Sequence, residues 1–138
     1  MAYSGSKQMS IGAQKIYNIL RRSGYRVIPE YEFEELRGKK GVHLRYDFAI
    51  IDDTHKIFLF EYDGEAHFQQ IKLFQKTTSA FKAAQERDRI KNKFALMNNI
   101  PLYRIPYWEI DKVNTLSDLF QSKFRVKTKY HNDFLKAP

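Results

Sequence analysis

Along the chain the hydrophobic positions switch between helical and strand spacing, and the switches mark the elements. Ile11, Ile16, Ile19 and Leu20 recur at helical intervals behind Ser10, a natural N-cap, and Gly24 follows Ser23 as a stop, so a first helix of about three turns is predicted. Tyr25 to Val27 and Tyr31 to Phe33 are short β-prone pieces separated by Pro29, and Glu34 to Gly41 reads as a charged, glycine-bearing mobile loop. Two alternating runs follow, HLRYDFAII (43–51) and KIFLFEYD (56–63), joined by the turn-favouring Asp52, Asp53 and Thr54. These predict an antiparallel hairpin. Phe68 to Lys76 fits neither period, whereas Ala80 to Asn98 predicts an amphipathic helix with Ile90, Phe94 and Met97 on its buried face and Asn98 and Asn99 at its end. PLYRIPY (101–107) reads as a short buried strand between Pro101 and Pro106, and Leu116 to Phe120 as a short helix capped by Asn114. No repeat or low-complexity segment interrupts this order. The 101–107 strand can rejoin the hairpin across the long helix as a βαβ-like crossover, which gives an α/β fold: a small mixed central sheet flanked by helices.

Composition narrows the function classes. A length of 138 residues and a mass of 16.5 kDa suit one domain over 1–138, with a basic C-terminal extension at about 121–138. The formal charge of +8 biases it toward polyanions such as nucleic acid. With no cysteine, thiol nucleophiles, disulfides and thiolate metal sites are excluded, so a metal would bind to oxygen or imidazole. No apolar run approaches the roughly 20 residues of a membrane span, and MAYSGSKQMS lacks the apolar stretch of a signal peptide. A soluble, cytoplasmic protein with no membrane partner is expected.

An acid lies inside each strand of the predicted hairpin, Asp47 in the first and Glu61 in the second, where an unpartnered carboxylate is costly. Strand alternation puts Glu61 and Asp63 on one face, with Tyr62 turned away but its carbonyl still near. If the hairpin sets Asp47 alongside, the carboxylates converge, and their repulsion calls for a cation; oxygen ligands imply Mg²⁺ or Mn²⁺. The plainer alternative pairs Asp47 with Arg45 and makes Asp63-Gly64 a hairpin turn, although the segment after Gly64 does not resume an alternating strand. His67 follows just past the acids. Asp88 and Lys91 share a helical face away from the apolar stripe, which alone describes an ordinary solvated ion pair. Tyr107 and Trp108 suit a packing corner better than a base-stacking platform. In the extension, Lys123, Arg125, Lys127 and Lys129 alternate with Phe124, Val126, Thr128 and Tyr130, so an extended chain would line four charges along one face for a phosphate backbone. Arg37, Lys39 and Lys40 are a second candidate for phosphate contact.

In combination, LRYDFAI, IFLFEYDGEAHF and RDRIKNKFALMNNIPLYRIPYWEI resemble the PD-(D/E)XK nuclease superfamily, in particular its branch of very-short-patch-repair and EDxHD-type phage homing endonucleases. The resemblance spans roughly residues 10 to 120 and implies a restriction-endonuclease-like fold and Mg²⁺-dependent cleavage of DNA to 5′-phosphate ends. It implies Asp47 as principal metal ligand, Glu61 as second acid, the Tyr62 carbonyl as a third ligand and His67 as the proton-transfer residue. Asp63 stands where the commonest motif has lysine, a function Lys91 could supply from the helix, and Asp88 would orient His67 or Lys91. One position departs: related sequences open the first helix Ser-x-Gly-Glu, whereas this chain has Ser10, Ile11, Gly12 and Ala13. The resemblance implies that Ala13 stands where a Glu would contribute to the site. Either this branch works without it or the chain is an inactive form, and the second reading is favoured. The alternative function is a non-catalytic nucleic-acid-binding module on a nuclease fold. Whether such an enzyme nicks alone or pairs as a homodimer to cut a duplex is left open.

Overall fold

The computed structural model describes residues 8–68, 78–135 and 137–138. The chain runs α1 (Ile11–Arg22), β1 (Arg26–Arg37), β2 (His43–Ile51), β3 (Ile57–Asp63), α2 (Thr78–Met97), β4 (Leu102–Pro106), α3 (Leu116–Leu119) and α4 (His131–Phe134), with short 3₁₀ segments at Lys39–Gly41, Glu65–His67, Tyr107–Lys112 and Ser122–Phe124. The strands form one sheet in the order β1-β2-β3-β4. The first two junctions are antiparallel and β3 runs parallel to β4, with Leu59 beside Leu102 and Asp63 beside Pro106. The predicted hairpin and the crossover through α2 both form, so the fold is a mixed four-stranded sheet flanked by helices. Most of the ambiguous stretch Phe68 to Lys76 lies outside the described residues.

Two apolar layers hold the helices to opposite faces. On one side Ile16, Ile19 and Leu20 of α1 pack against Phe48, Ile50, Phe60 and Ile105; on the other Leu44, Tyr46, Leu59 and Leu102 meet Ala95, with Ile90 and Phe94 packed beside them. Face alternation breaks once in each of the first two strands. Val27 and Phe48 belong to the α1 layer, but Tyr31 and Tyr46 belong to the α2 layer, so the chain changes phase around Glu30 and Asp47. Glu30 takes a positive φ of 50°, a conformation that costs a side-chain-bearing residue about 1–2 kcal/mol. This kink takes Asp47 out of the regular alternation.

Several sequence expectations need correction. Glu34 to Arg37 continue β1, which pairs with β2 as far as Arg37 opposite His43, so the charged loop shrinks to a tight turn around Lys39–Gly41. Pro29 does not end the strand because β1 is an edge, where a missing N–H is tolerated. Ser10 caps α1 by accepting from the Ala13 N–H at 3.2 Å, but Ile11 is 92% exposed, leaving Ile16, Ile19 and Leu20 to anchor the helix. Met97 is 71% exposed, because the most buried face of α2 carries Asp88, Asn92 and Ala95. The cap of α3 is Thr115, not Asn114: its hydroxyl accepts from the Asp118 N–H while the Asp118 carboxylate accepts from the Thr115 N–H.

Gly12 explains how α1 comes so close to the sheet. A Cβ there would clash with the Tyr62 ring, so only glycine lets the first turn of α1 rest on that side chain. Gly12→Ala is expected to destabilise the fold by about 1–3 kcal/mol through overpacking. In a Tyr62→Ala background the same change should become neutral or stabilising, since alanine is favoured over glycine in helices by about 1 kcal/mol. Denaturant titration of the four proteins measures this coupling, and an equal loss in both backgrounds would rule out the Tyr62 contact as its cause.

Candidate functional site

The site begins where the β2-β3 ladder ends. Phe48 and Phe60 are the last paired residues, and beyond them carboxylates take over from backbone carbonyls. Glu61 Oε2 accepts from the Asp47 N–H at 2.9 Å, and Asp47 Oδ2 accepts from the Tyr62 N–H at 2.8 Å. This reciprocal pair fixes both acids between the two strands, so Asp47 and Glu61 are neighbours as the strand positions predicted. The alternative pairing of Asp47 with Arg45 is not formed; Arg45 meets Glu32 at 2.7 Å and Glu30 at 3.5 Å. Nor does Asp63-Gly64 make a hairpin turn, since β3 leads into a 3₁₀ turn at Glu65–His67.

Behind these acids lies a charge network that sequence reasoning did not foresee. Arg104 of β4 is completely buried; its Nη1 donates to Asp63 Oδ1 at 2.8 Å, its Nε donates to Asn92 Oδ1 at 2.7 Å, and its Nη2 lies 3.5 Å from Asp88 Oδ1 and 4.0 Å from Glu61 Oε1. The Lys91 ammonium contacts Glu61 Oε1, and the Tyr46 hydroxyl donates to the Lys91 carbonyl at 2.7 Å. His67 Nδ1 stands 3.0 Å from Asp88 Oδ2 and 3.5 Å from Asp63 Oδ1, and Asn132 of α4 also reaches Asp88 Oδ2 at 3.3 Å. Asp88 and Lys91 are therefore not a solvated pair. Their helical face, polar as it is, is the one laid against the sheet.

Electrostatics follow from that burial. Desolvation pushes the Asp63 carboxyl above its ordinary range against the pull of Arg104. Desolvation acts the same way on Asp88, but Arg104 and the His67 hydrogen bond outweigh it and hold this group low. For His67, burial favours the neutral ring, yet the Asp88 hydrogen bond and the charge of Asp63 prevail and raise its pKa. The chain's own Lys91, Arg104 and His67 thus balance much of the negative charge, so acid convergence alone does not demand a metal ion.

A cavity of about 420 Å³ opens at this end of the sheet, lined by Ala13, Asp47, Tyr62, Glu65 and His67 among others. Asp47 borders it, while Glu61 is buried behind and Asp63 is committed to Arg104. Among the described residues no three His, Asp or Glu side chains gather as a metal-ligand cluster. Asp47, at the border of the cavity, and Glu61 beside it are the carboxylates that could hold an ion, and Mg²⁺ keeps several waters and needs only one or two carboxylates. Beside this end, Trp108 packs edge to face with both Phe68 and Tyr107, the Phe68 and Trp108 centroids 4.8 Å apart, and Phe68 is tilted against Tyr107.

The basic candidates sit elsewhere. Arg37 closes its own turn by binding Glu34 and the Gly41 carbonyl, each at 3.0 Å, whereas Lys39 and Lys40 are exposed. The extension is not one strand. Phe124 and Val126 are buried, Val126 N–H donates to the Leu102 carbonyl at 2.8 Å, and the segment covers the free edge of β4. Lys123 is paired with Glu109 at 3.0 Å, Arg125 lies over the Tyr103 ring, Lys127 is exposed, and the Lys129 carbonyl accepts from Asn92. Lys123, Arg125 and Lys127 are exposed and Lys129 is half-buried, on a segment that opens as a 3₁₀ turn at Ser122–Phe124 rather than as an extended strand. Arg104, Asn92 and Asn132 were missed as site residues; the available signal was an arginine at the centre of an otherwise apolar strand.

No family model matches the chain, and no solved structure matches it. A stretch of 47 residues, 34% of the chain, is 38% identical to uncharacterized protein 307L of Invertebrate iridescent virus 6. The matched stretch covers 24% of that protein. Among the described residues no helix is long and apolar enough to cross a membrane.

Proposed function

We propose that this chain is a metal-dependent DNA endonuclease on a restriction-endonuclease-like fold, similar to the very-short-patch-repair branch of the PD-(D/E)XK superfamily. The observation that carries the reading is the reciprocal lock of Asp47 and Glu61 across two strands, at the edge of a cavity that His67 also lines. Asp47, Glu61 and the Tyr62 carbonyl would hold Mg²⁺ or Mn²⁺. Bound there, the ion would lower the pKa of a water and offset charge on the scissile phosphate. His67, with Nδ1 held by Asp88, could as the imidazolium give its Nε2 proton to the departing oxygen and become the neutral Nδ1–H ring. Lys91 keeps Glu61 in place and adds positive charge behind it. The net charge of +8, with exposed Lys39, Lys40, Arg125 and Lys127, favours a DNA backbone.

Ala13 supports a second reading, that of a non-catalytic DNA-binding module, because it lines the same cavity where related sequences carry an acid. Ala13→Glu separates the two. The variant is expected to gain Mg²⁺-dependent cleavage in a screen of linear, mismatched and branched DNAs. Binding without cleavage by both proteins would favour the module, and neither binding nor cleavage would sink both readings.

A further inference from the structure

Among the described residues, Arg104 touches both carboxylates that bracket His67. Asp63 Oδ1 receives Arg104 Nη1 at 2.8 Å on one side and faces His67 Nδ1 at 3.5 Å on the other. Asp88 divides its oxygens in the same way: Oδ1 lies 3.5 Å from Arg104 Nη2, and Oδ2 lies 3.0 Å from His67 Nδ1. The three elements β3, α2 and β4 therefore meet at one buried guanidinium, and the imidazole is held at their rim. Arg104 is itself fixed, since Asn92 Oδ1 receives Nε at 2.7 Å and its side chain is fully enclosed.

We propose that Arg104 is the positioning residue of this site: through Asp63 and Asp88 it holds His67 with Nδ1 as the protonated nitrogen, so that Nε2 is the nitrogen free to exchange a proton in the cavity. The inference rests on the nuclease reading for its purpose, but its geometry does not. A planar fork can serve Asp63, Asp88 and Asn92 at once from fixed directions; an ammonium cannot. Asp63 thereby acquires a role at the position where the commonest superfamily motif has lysine. It is the second clamp on the imidazole. The charged groups facing His67 are Asp63 from β3, Asp88 from α2 and Arg104 from β4.

Nitrogen-15 spectra of the imidazole side chains test this in the 138-residue chain, whose four histidines keep the assignment simple. In the wild type, His67 should show the Nδ1–H tautomer once its ring is neutral. Arg104→Lys and Asp63→Asn should each shift its tautomer ratio toward Nε2–H by about tenfold, the worth of one hydrogen bond. A variant that does not fold leaves the wild-type spectrum to decide, because a neutral His67 protonated on Nε2 would overturn the proposal directly. So would folded variants with an unchanged His67 pattern, the result expected if Arg104 were only a buried structural cation. Failure of the nuclease reading would show instead as absent cleavage by Ala13→Glu with the tautomer as stated.

Discussion

Asp47→Asn is expected to lower metal-dependent DNA cleavage by about a thousandfold or more while leaving the fold intact. The comparison is made in the cleaving background, the chain itself or its Ala13→Glu form. Loss of one formal negative charge from a site offering two carboxylates removes much of its hold on a divalent ion, and an ion of this kind is worth several kcal/mol of transition-state stabilisation. The fold tolerates the change because an asparagine Oδ1 can still accept from the Tyr62 N–H, as Asp47 Oδ2 does at 2.8 Å. The stability cost should stay near 1 kcal/mol. Cleavage rates and a denaturant titration on the same preparations check both halves; wild-type turnover would remove Asp47 from the chemistry.

Arg104→Met carries the largest expected effect on stability. It leaves Asp63 without its closest cation in a completely buried setting and withdraws the charge that holds Asp88 low, for a cost of about 3–5 kcal/mol. The loss should depend on pH with a definite sign. Without Arg104 the buried Asp63 keeps a proton that the unfolded chain releases, so its folded pKa lies above its unfolded one. The variant is then most nearly rescued below the ordinary carboxylate range and loses ground as pH rises through the folded value. The deficit against wild type should shrink as pH falls toward the ordinary carboxylate range. Adding Asp63→Asn should recover about 1 kcal/mol or more by removing an acid that must otherwise be protonated or left as an unpaired buried charge. A deficit independent of pH would mean that Arg104 contributes packing rather than charge balance.

Where local pattern and tertiary packing agree, the elements could be read directly from the residues. The hairpin followed from the alternation in 43–51 and 56–63, and the parallel β4 followed from an apolar strand beyond a long helix. The adjacency of Asp47 and Glu61 came from the same pattern, because pairing in the hairpin sets their strand positions side by side. Long-range partners were hidden. Nothing near Asp88 or Lys91 in the chain says that their helical face meets the sheet, since the partners that make this tolerable are Arg104, Glu61 and His67 from other elements. Met97 was misplaced for the same reason: polar residues took the inward face on which an apolar stripe was expected. The extension shows both uses of one pattern. Its alternation from Lys123 to Lys127 seats Phe124 and Val126 in the core and leaves Lys123, Arg125 and Lys127 exposed.

The account stands on a divalent ion being held jointly by Asp47 and Glu61. Isothermal calorimetry of Mn²⁺ into the full chain addresses this without DNA or turnover. One saturable site should appear in the wild type and vanish in Asp47→Asn, with thermal stability rising on Mn²⁺ addition only in the former. Equal Mn²⁺ binding by both proteins, or none by the wild type and by Ala13→Glu, would contradict it.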